Sequence, residues 1–195
     1  MLATNLPKFI SSHYEIHEWK HALAILQMDF QDEWTDLVHV LTSFRLAKGD
    51  ILSPGGGKSS IAQMIDEAFY AKGWREKSFD TSVVIDGIEH KSPTHKIDCY
   101  KNRIALETEW NNKDPFFDRD LNNFRLLFDV RAISVGVIIT RCDSLQQIFD
   151  ELGKGNSYGA STTHMSKLIP RIEGGGGGGC PILIIGIGSA LYVSD

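Results

Sequence analysis

The sequence predicts an α/β sandwich, a mixed β-sheet with helices on both faces. Three observations carry this expectation. Residues 31–46 and 58–72 repeat apolar positions at three- and four-residue spacing, the period of an amphipathic helix. Residues 132–140 (AISVGVIIT) are almost continuously apolar, which suits a strand buried on both faces. Helical and strand segments follow one another along the chain, and helices flanking a sheet with non-local pairings define this class.

In order, residues 17–28 (HEWKHALAILQM) and 31–46 (QDEWTDLVHVLTSFRL) read as amphipathic helices. Residues 49–57 (GDILSPGGG) form a loop, because Pro and three glycines block regular structure. Residues 58–72 read as a helix, with Ser59 or Ser60 as cap and Gly73 as stop. Strand candidates follow at 80–88, 94–100 and 103–110. A helix at about 117–131 precedes the strand at 132–140, and a short helix spans 143–152. A polar, glycine-rich stretch from Gly153 to Gly179 leads to the final strand, 181–187. The length of 195 residues fits a single domain. Within it, residues 1–46 form an N-terminal helical region, and 47–140 with 181–188 form the core.

Hydrophobic residues make up 42%, so wholesale disorder is excluded. No apolar run reaches the ~18 residues of a membrane span, and no basic-then-apolar signal peptide opens the chain. Cys99, Cys142 and Cys180 are too scattered for a disulfide scaffold, which leaves a cytoplasmic protein as the expectation. The net charge of −5 at first argues against a nucleic-acid partner. Its distribution weakens that argument. Glu15, Glu18, Asp29, Asp32, Glu33 and Asp36, with Lys20, account for all of it, and the other 173 residues sum to zero. Residues 45–77 carry six bases and four acids. The acidic 15–36 segment is expected to face away from any duplex.

The informative region is HKIDCYKNRIALETEW, residues 95–110. Strand side chains alternate, so Glu107 and Glu109 share a face and Leu106 and Thr108 take the other. An antiparallel turn around Lys101-Asn102 brings Asp98 beside Glu107. Three carboxylates on an apolar strand repel and are costly to desolvate unless something positive joins them. A hard divalent cation is the economical solution. Mg²⁺ takes one or two carboxylates and leaves positions for water and a phosphate. Asp98 and Glu107 are then the metal ligands, and Glu109 orients or deprotonates an attacking water. An exposed acidic strand is the plain alternative.

The stretch DCYKNRIALETEW, the Leu/Phe-rich helix after it and SVGVIITR resemble the type II restriction endonucleases of the BglII, BstYI and BamHI group. GDILSP, AKGWREK and the terminal PILIIGIG extend the likeness over roughly residues 45–188. The resemblance implies a restriction-endonuclease-like core and a Mg²⁺-dependent, sequence-specific hydrolysis of double-stranded DNA leaving 5′-phosphates. It matches Asp98 to the first metal-binding Asp, Glu107 to the second ligand, and Glu109 to the third position of the PD-(D/E)xK motif. Most members carry Lys at that position, BglII and BstYI carry Gln, and BamHI carries Glu. Glu76 looks like the upstream acid that BamHI adds. A short palindromic target, with GATC as one possibility, and a C2 homodimer follow from the same likeness. So does a prokaryotic cytoplasmic restriction-modification system. By analogy the helices at 58–72 and 117–131 supply the dimer surface. A repair or junction-resolving nuclease on this core, a non-catalytic DNA-binding protein and a metal-binding regulatory domain stay open as alternatives.

In the resembled family the segment before the last strand contacts DNA, which marks 153–179 as a contact region. Lys154, Asn156, Ser157, Tyr158, Ser161 and Arg171 are its candidate donors and acceptors, joined by Asn111, Asn112 and Lys113 after the acidic strand. The hexaglycine Gly174–Gly179 is either a flexible connection or a close approach to a DNA groove. GGGKSS is not a P-loop, since Leu52 stands where the first Gly is required. Lys58 remains a candidate phosphate contact. His13, His17 and His21 would share a helix face, and they read as a surface stripe and not as a zinc site, since no Cys or acid completes a fourth ligand. Trp19, Trp34, Trp74 and Trp110 read as core, with Trp110 also able to wall the site.

Overall fold

A computed structural model describes residues 6–53, 57 and 59–194. Helix α1 (Lys8–His13) and strand β1 (Tyr14–Trp19) open the described chain, followed by α2 (Ala22–Asp29) and α3 (Gln31–Ser43). Strand β2 (Leu46–Ala47) leads into α4 (Lys48–Leu52) and α5 (Ser60–Tyr70). Next come β3 (Arg75–Lys77), β4 (Asp80–Ile85), β5 (Ile88–Pro93), β6 (Ile97–Lys101) and β7 (Ile104–Glu109). Helix α6 (Pro115–Asp129), β8 (Val135–Arg141), α7 (Gln146–Glu151), α8 (Met165–Glu173), β9 (Ile182–Ile187) and β10 (Tyr192–Val193) complete it.

Six strands form the main sheet in the order β1-β9-β8-β7-β6-β3. The central neighbours β7, β8 and β9 are parallel, while the outer pairings are antiparallel, so the sheet is mixed. Alternation along β8 explains the two helical layers. Val135, Val137 and Ile139 face α2, α3, α5 and α7 through Leu26, Leu37, Ile65 and Phe149. Ile138 faces the opposite way, into a layer built by Phe117, Leu121 and Phe124 of α6 and Leu168 and Ile172 of α8. The continuous apolar runs of β8 and β9 are thus covered on both sides, as parallel strands require. The expected α/β sandwich is the observed architecture.

Several elements differ from the sequence expectation. Residues 14–19 form an edge strand antiparallel to β9, with Ile16 opposite Ile185, where a helix was expected from residue 17. Lys20 and His21, both left-handed at φ 53° and 59°, turn the chain before α2 begins. The N-terminal region is therefore not wholly helical, and its strand completes the core sheet. The expected strand 80–88 is instead the first arm and turn of a β4–β5 hairpin, closed at Asp86-Gly87 with φ 51° and 81°. Met165–Glu173 is a helix inside the stretch read as glycine-rich loop. Ser59 caps α5 by accepting the Ala62 N–H, as expected.

The histidines part company on these elements. His13 ends α1 and stacks on Phe9, His17 lies on β1 beside Glu15, and His21 precedes α2. Among the described residues no helix is long and apolar enough to cross a membrane.

Gly136 of β8 lies against the Phe124 ring, which a Cβ would overlap. Gly136→Ala is expected to destabilise the fold by about 1–3 kcal/mol, the usual effect of overpacking a filled core. A urea midpoint unchanged from wild type would contradict this packing.

Candidate active site

The β6–β7 turn passes through Asn102 and Arg103, both left-handed. From it the ladder pairs Lys101 with Ile104, Tyr100 with Ala105 and Cys99 with Leu106. Beyond that point side chains take over the hydrogen bonding. Glu107 Oε2 accepts the Asp98 N–H at 3.3 Å, and Asp98 Oδ2 accepts the Thr108 N–H at 3.2 Å. The two carboxylates are therefore adjacent, each tied to the other's strand. Thr108 points to the opposite face, where its hydroxyl donates to Asp66 Oδ1 of α5 at 2.9 Å.

Glu107 and Glu109 are each only 1% exposed. Asn112 Nδ2 donates to Glu109 Oε2 at 2.7 Å. On α6, Arg119 donates from Nε to Asp120 Oδ1 at 2.9 Å, while Nη2 lies 2.8 Å from that oxygen and 3.3 Å from Glu109 Oε1. Asp120 is fully buried and was not among the sequence candidates. A signal existed: it lies three residues after Phe117 and four before Phe124, on the apolar face of the helix. A charged residue there needs a partner.

These groups perturb one another. Burial, then the charges of Asp120 and Asp98, hold the Glu107 carboxyl well above the usual carboxylate range. Burial and Asp120 push Glu109 up to about 9, against the opposing pull of Asn112 and Arg119. Asp120 is also raised by burial, although Arg119 opposes the shift. Burial and the Arg119 charge lower the nearby His95.

Among the described residues no three His, Cys, Asp or Glu side chains form a ready cage for an ion. Mg²⁺ does not need a cage, since it binds through one or two carboxylates and keeps several waters. Asp98 and Glu107 supply hard oxygen donors side by side, and buried Glu107 Oε1 receives no hydrogen bond. This donor set fits a hard divalent cation.

Two adjoining cavities share Gly57, Ser59, Trp110 and Asn112. The first, of about 340 Å³, is lined by Glu76, His95, Lys96, Asp98, Glu109 and Arg119. Glu76 therefore reaches the same cleft from β3, where it pairs with Lys96 at 2.6 Å. The second, of about 230 Å³, is lined by Asn111, Asn112, Lys154, Ser157 and Tyr158 among others. Segments 111–114 and 161–163 are joined directly: Lys113 bridges to Thr162, Thr163 N–H donates to Asn112 O, and Asp114 N–H donates to Ser161 O.

Other candidates sit differently. Tyr158 is buried and stacks on Phe149 at 3.9 Å between ring centroids, so it is largely a core residue. Asn156 is exposed and lines neither cavity. Arg171 joins α8 to α6 through Asp118 at 2.9 Å and Asp114 at 3.5 Å, and also lines neither cavity. Lys58 lies outside the described residues. Trp110 does wall both cavities while packing on Phe149 and Tyr158. The hexaglycine folds back on α6, where a Cβ on Gly178 would meet Arg125 and one on Gly176 would meet Leu121, while one on Gly177 would meet Ile182 of β9.

A family model described as restriction endonuclease BglII/BglIII matches residues 14–187. The match begins on the first residue of β1 and ends on the last residue of β9, so it spans the whole main sheet. No curated protein matches the chain.

The raised Glu109 gives a pH signature for the metal-free protein. Between its ordinary value near 4.5 and about 9, the folded state holds a proton that the unfolded state has lost, so stability falls as pH rises through that window. The melting temperature is expected to be lower at pH 8 than at pH 5, and Glu109→Gln is expected to flatten part of that slope. An identical slope in wild type and variant would contradict a neutral buried Glu109.

Proposed function

Because the chain belongs to the BglII/BglIII restriction endonuclease family, it is a type II restriction endonuclease acting on DNA, and on that premise we propose the chemistry of its site. The family generally uses divalent metal ions. The proposal is hydrolysis of double-stranded DNA with Mg²⁺ on Asp98 and Glu107, leaving 5′-phosphates. When bound, that ion polarises a phosphoryl oxygen and lowers the pKa of a bound water.

The chain's own residues do the rest. Glu109, neutral in the metal-free protein, would be ionised by a cation bound beside it and in that form would accept the proton of the attacking water, while Asn112 holds one of its oxygens. Glu76, which lines the same cleft, is the upstream acid of the proposed site. Asn111, Asn112, Lys154 and Ser157 reach base edges or phosphates from the second cavity. Lys113, Asn156 and Ser161 neighbour them in sequence, and Lys58, Tyr158 and Arg171 complete the proposed DNA-binding set. The chain acts as one endonuclease domain, with 153–179 as its contact region. A palindromic target favours a C2 homodimer, each copy cutting one strand. The single observation that supports this reading best is the reciprocal hydrogen bonding that sets Asp98 and Glu107 side by side on the cleft.

Plasmid DNA incubated with the protein and Mg²⁺ is expected to give discrete limit fragments whose sequenced ends carry 5′-phosphates and reveal the site. Asp98→Ala and Glu107→Ala are each expected to lose cleavage by roughly 10³-fold, the equivalent of about 4 kcal/mol of transition-state stabilisation. Sequence-specific binding measured without cleavage is expected to persist. Full activity of either variant removes the ligand assignment, and structure-dependent nicking in place of limit fragments removes the Mg²⁺-dependent double-strand reaction.

A further inference from the structure

We propose that Arg119 is a catalytic residue that binds a non-bridging oxygen of the scissile phosphate, an inference that rests on the cleft being the cleavage site. Asp98, Glu107, Glu109 and Asp120 crowd one end of β6, β7 and α6, and a phosphodiester brought there adds another negative charge. β7 carries no cation beside its two glutamates. Of the described side chains lining the first cavity, Lys96 and Arg119 are the permanently charged cations, and they are not equivalent. Lys96 is 52% exposed and paired with Glu76. Arg119 is 33% exposed and reaches the buried Glu109.

Its mounting differs from that of a solvated surface arginine. Asp120 Oδ1 takes both Nε and Nη2, and the guanidinium carbon stands 4.2 Å from the centroid of the Phe116 ring. Carboxylate and ring together fix the plane of the guanidinium. Its contact with Glu109 is longer, 3.3 Å, so it is the weaker of the two anchors and the one a phosphate oxygen can replace. A planar, always-charged fork is suited to phosphate recognition. In the proposed step the water oxygen bonds to phosphorus and the P–O3′ bond breaks. The water proton passes to Glu109 in its ionised form, and the leaving 3′-oxygen takes a proton from solvent. Arg119 transfers nothing. It supplies N–H donors to the charge that grows on the non-bridging oxygen.

Arg119→Met and Arg119→Lys test this beside wild type, with two readouts. In EDTA, the slope of log K against log salt for duplex binding is expected to shrink by about 0.9 in Arg119→Met and to stay unchanged in Arg119→Lys. In Mg²⁺, single-turnover cleavage by Arg119→Met is expected to fall roughly 10²- to 10³-fold, the usual loss for one removed donor to developing charge. A wild-type slope or a wild-type rate in a folded Arg119→Met overturns the proposal. If Arg119→Met fails to fold, Arg119→Lys decides: it keeps the charge without the fork, so its cleavage is expected to fall at least about tenfold at unchanged salt slope. A wild-type rate in that variant overturns the proposal. No cleavage by wild type removes the premise instead, and is distinguished from loss in the variants alone.

Discussion

Burying carboxyl groups within reach of one another is the constraint around which this molecule is arranged. Glu107, Glu109 and Asp120 are almost wholly buried, and Asp98 joins them from the neighbouring strand. In low dielectric their charged forms repel and lose hydration, so each needs a proton, a donor or a cation. The local structure supplies all three kinds of relief. Backbone N–H groups of Asp98 and Thr108 serve the first pair, Asn112 and Arg119 serve Glu109, and protons are held on Glu107 and Glu109 far above the ordinary range. Carboxyl groups perturbed in this way within a cleft mark a candidate functional site, and the divalent cation proposed there would relieve their repulsion.

The sandwich explains why this cluster can exist. β7 lies inside the sheet, with β6 and β8 on either side, so Glu107 and Glu109 cannot turn to solvent. Helix α6 covers their face and delivers Arg119 and Asp120 from its first turns. The next layer of support comes from Arg141, which is 1% exposed and has no salt-bridge partner among the described residues. Its Nη2 donates to Tyr158 O at 2.8 Å and to Thr162 Oγ1 at 2.9 Å, which pins the 153–163 loop over the end of the sheet. That loop and the 111–114 segment meet through Lys113 and Thr162, and Asn112 of that segment donates to Glu109 of the carboxylate cluster.

Net charge proved a poor guide because location matters more than the sum. The acids of the 15–36 segment carry the whole excess, yet several have structural partners: Glu18 accepts the Leu23 N–H, and Asp36 receives Trp74 Nε1 and Lys101 Nζ at 2.8 Å. The groove itself mixes Lys96, Arg119 and Lys154 with its acids. An acidic chain with such a cleft is compatible with a DNA substrate.

The sandwich, the buried strands, the placing of Asp98 beside Glu107 and the face that Glu107 shares with Glu109 were all legible in the chain because they follow from short-range periodicity. Side chains two apart on a strand share a face, and a tight turn brings the next strand's residue opposite. The misreadings have the same root. YEIHEW alternates as an edge strand, but its spacing also fits the helix after it, and only pairing with β9 across more than 160 residues decides between them. The hexaglycine looked unusual by composition and is explained by its close packing on α6. Arg119 was invisible as a site residue, and Asp120 on the apolar face of its helix announced only that it needed a partner, since nothing local says that α6 lays them against β7. The sequence by itself determined which residues alternate, cap and turn. Tertiary structure alone decided which of them meet, because burial and the desolvation of charge arise only when distant segments exclude water together.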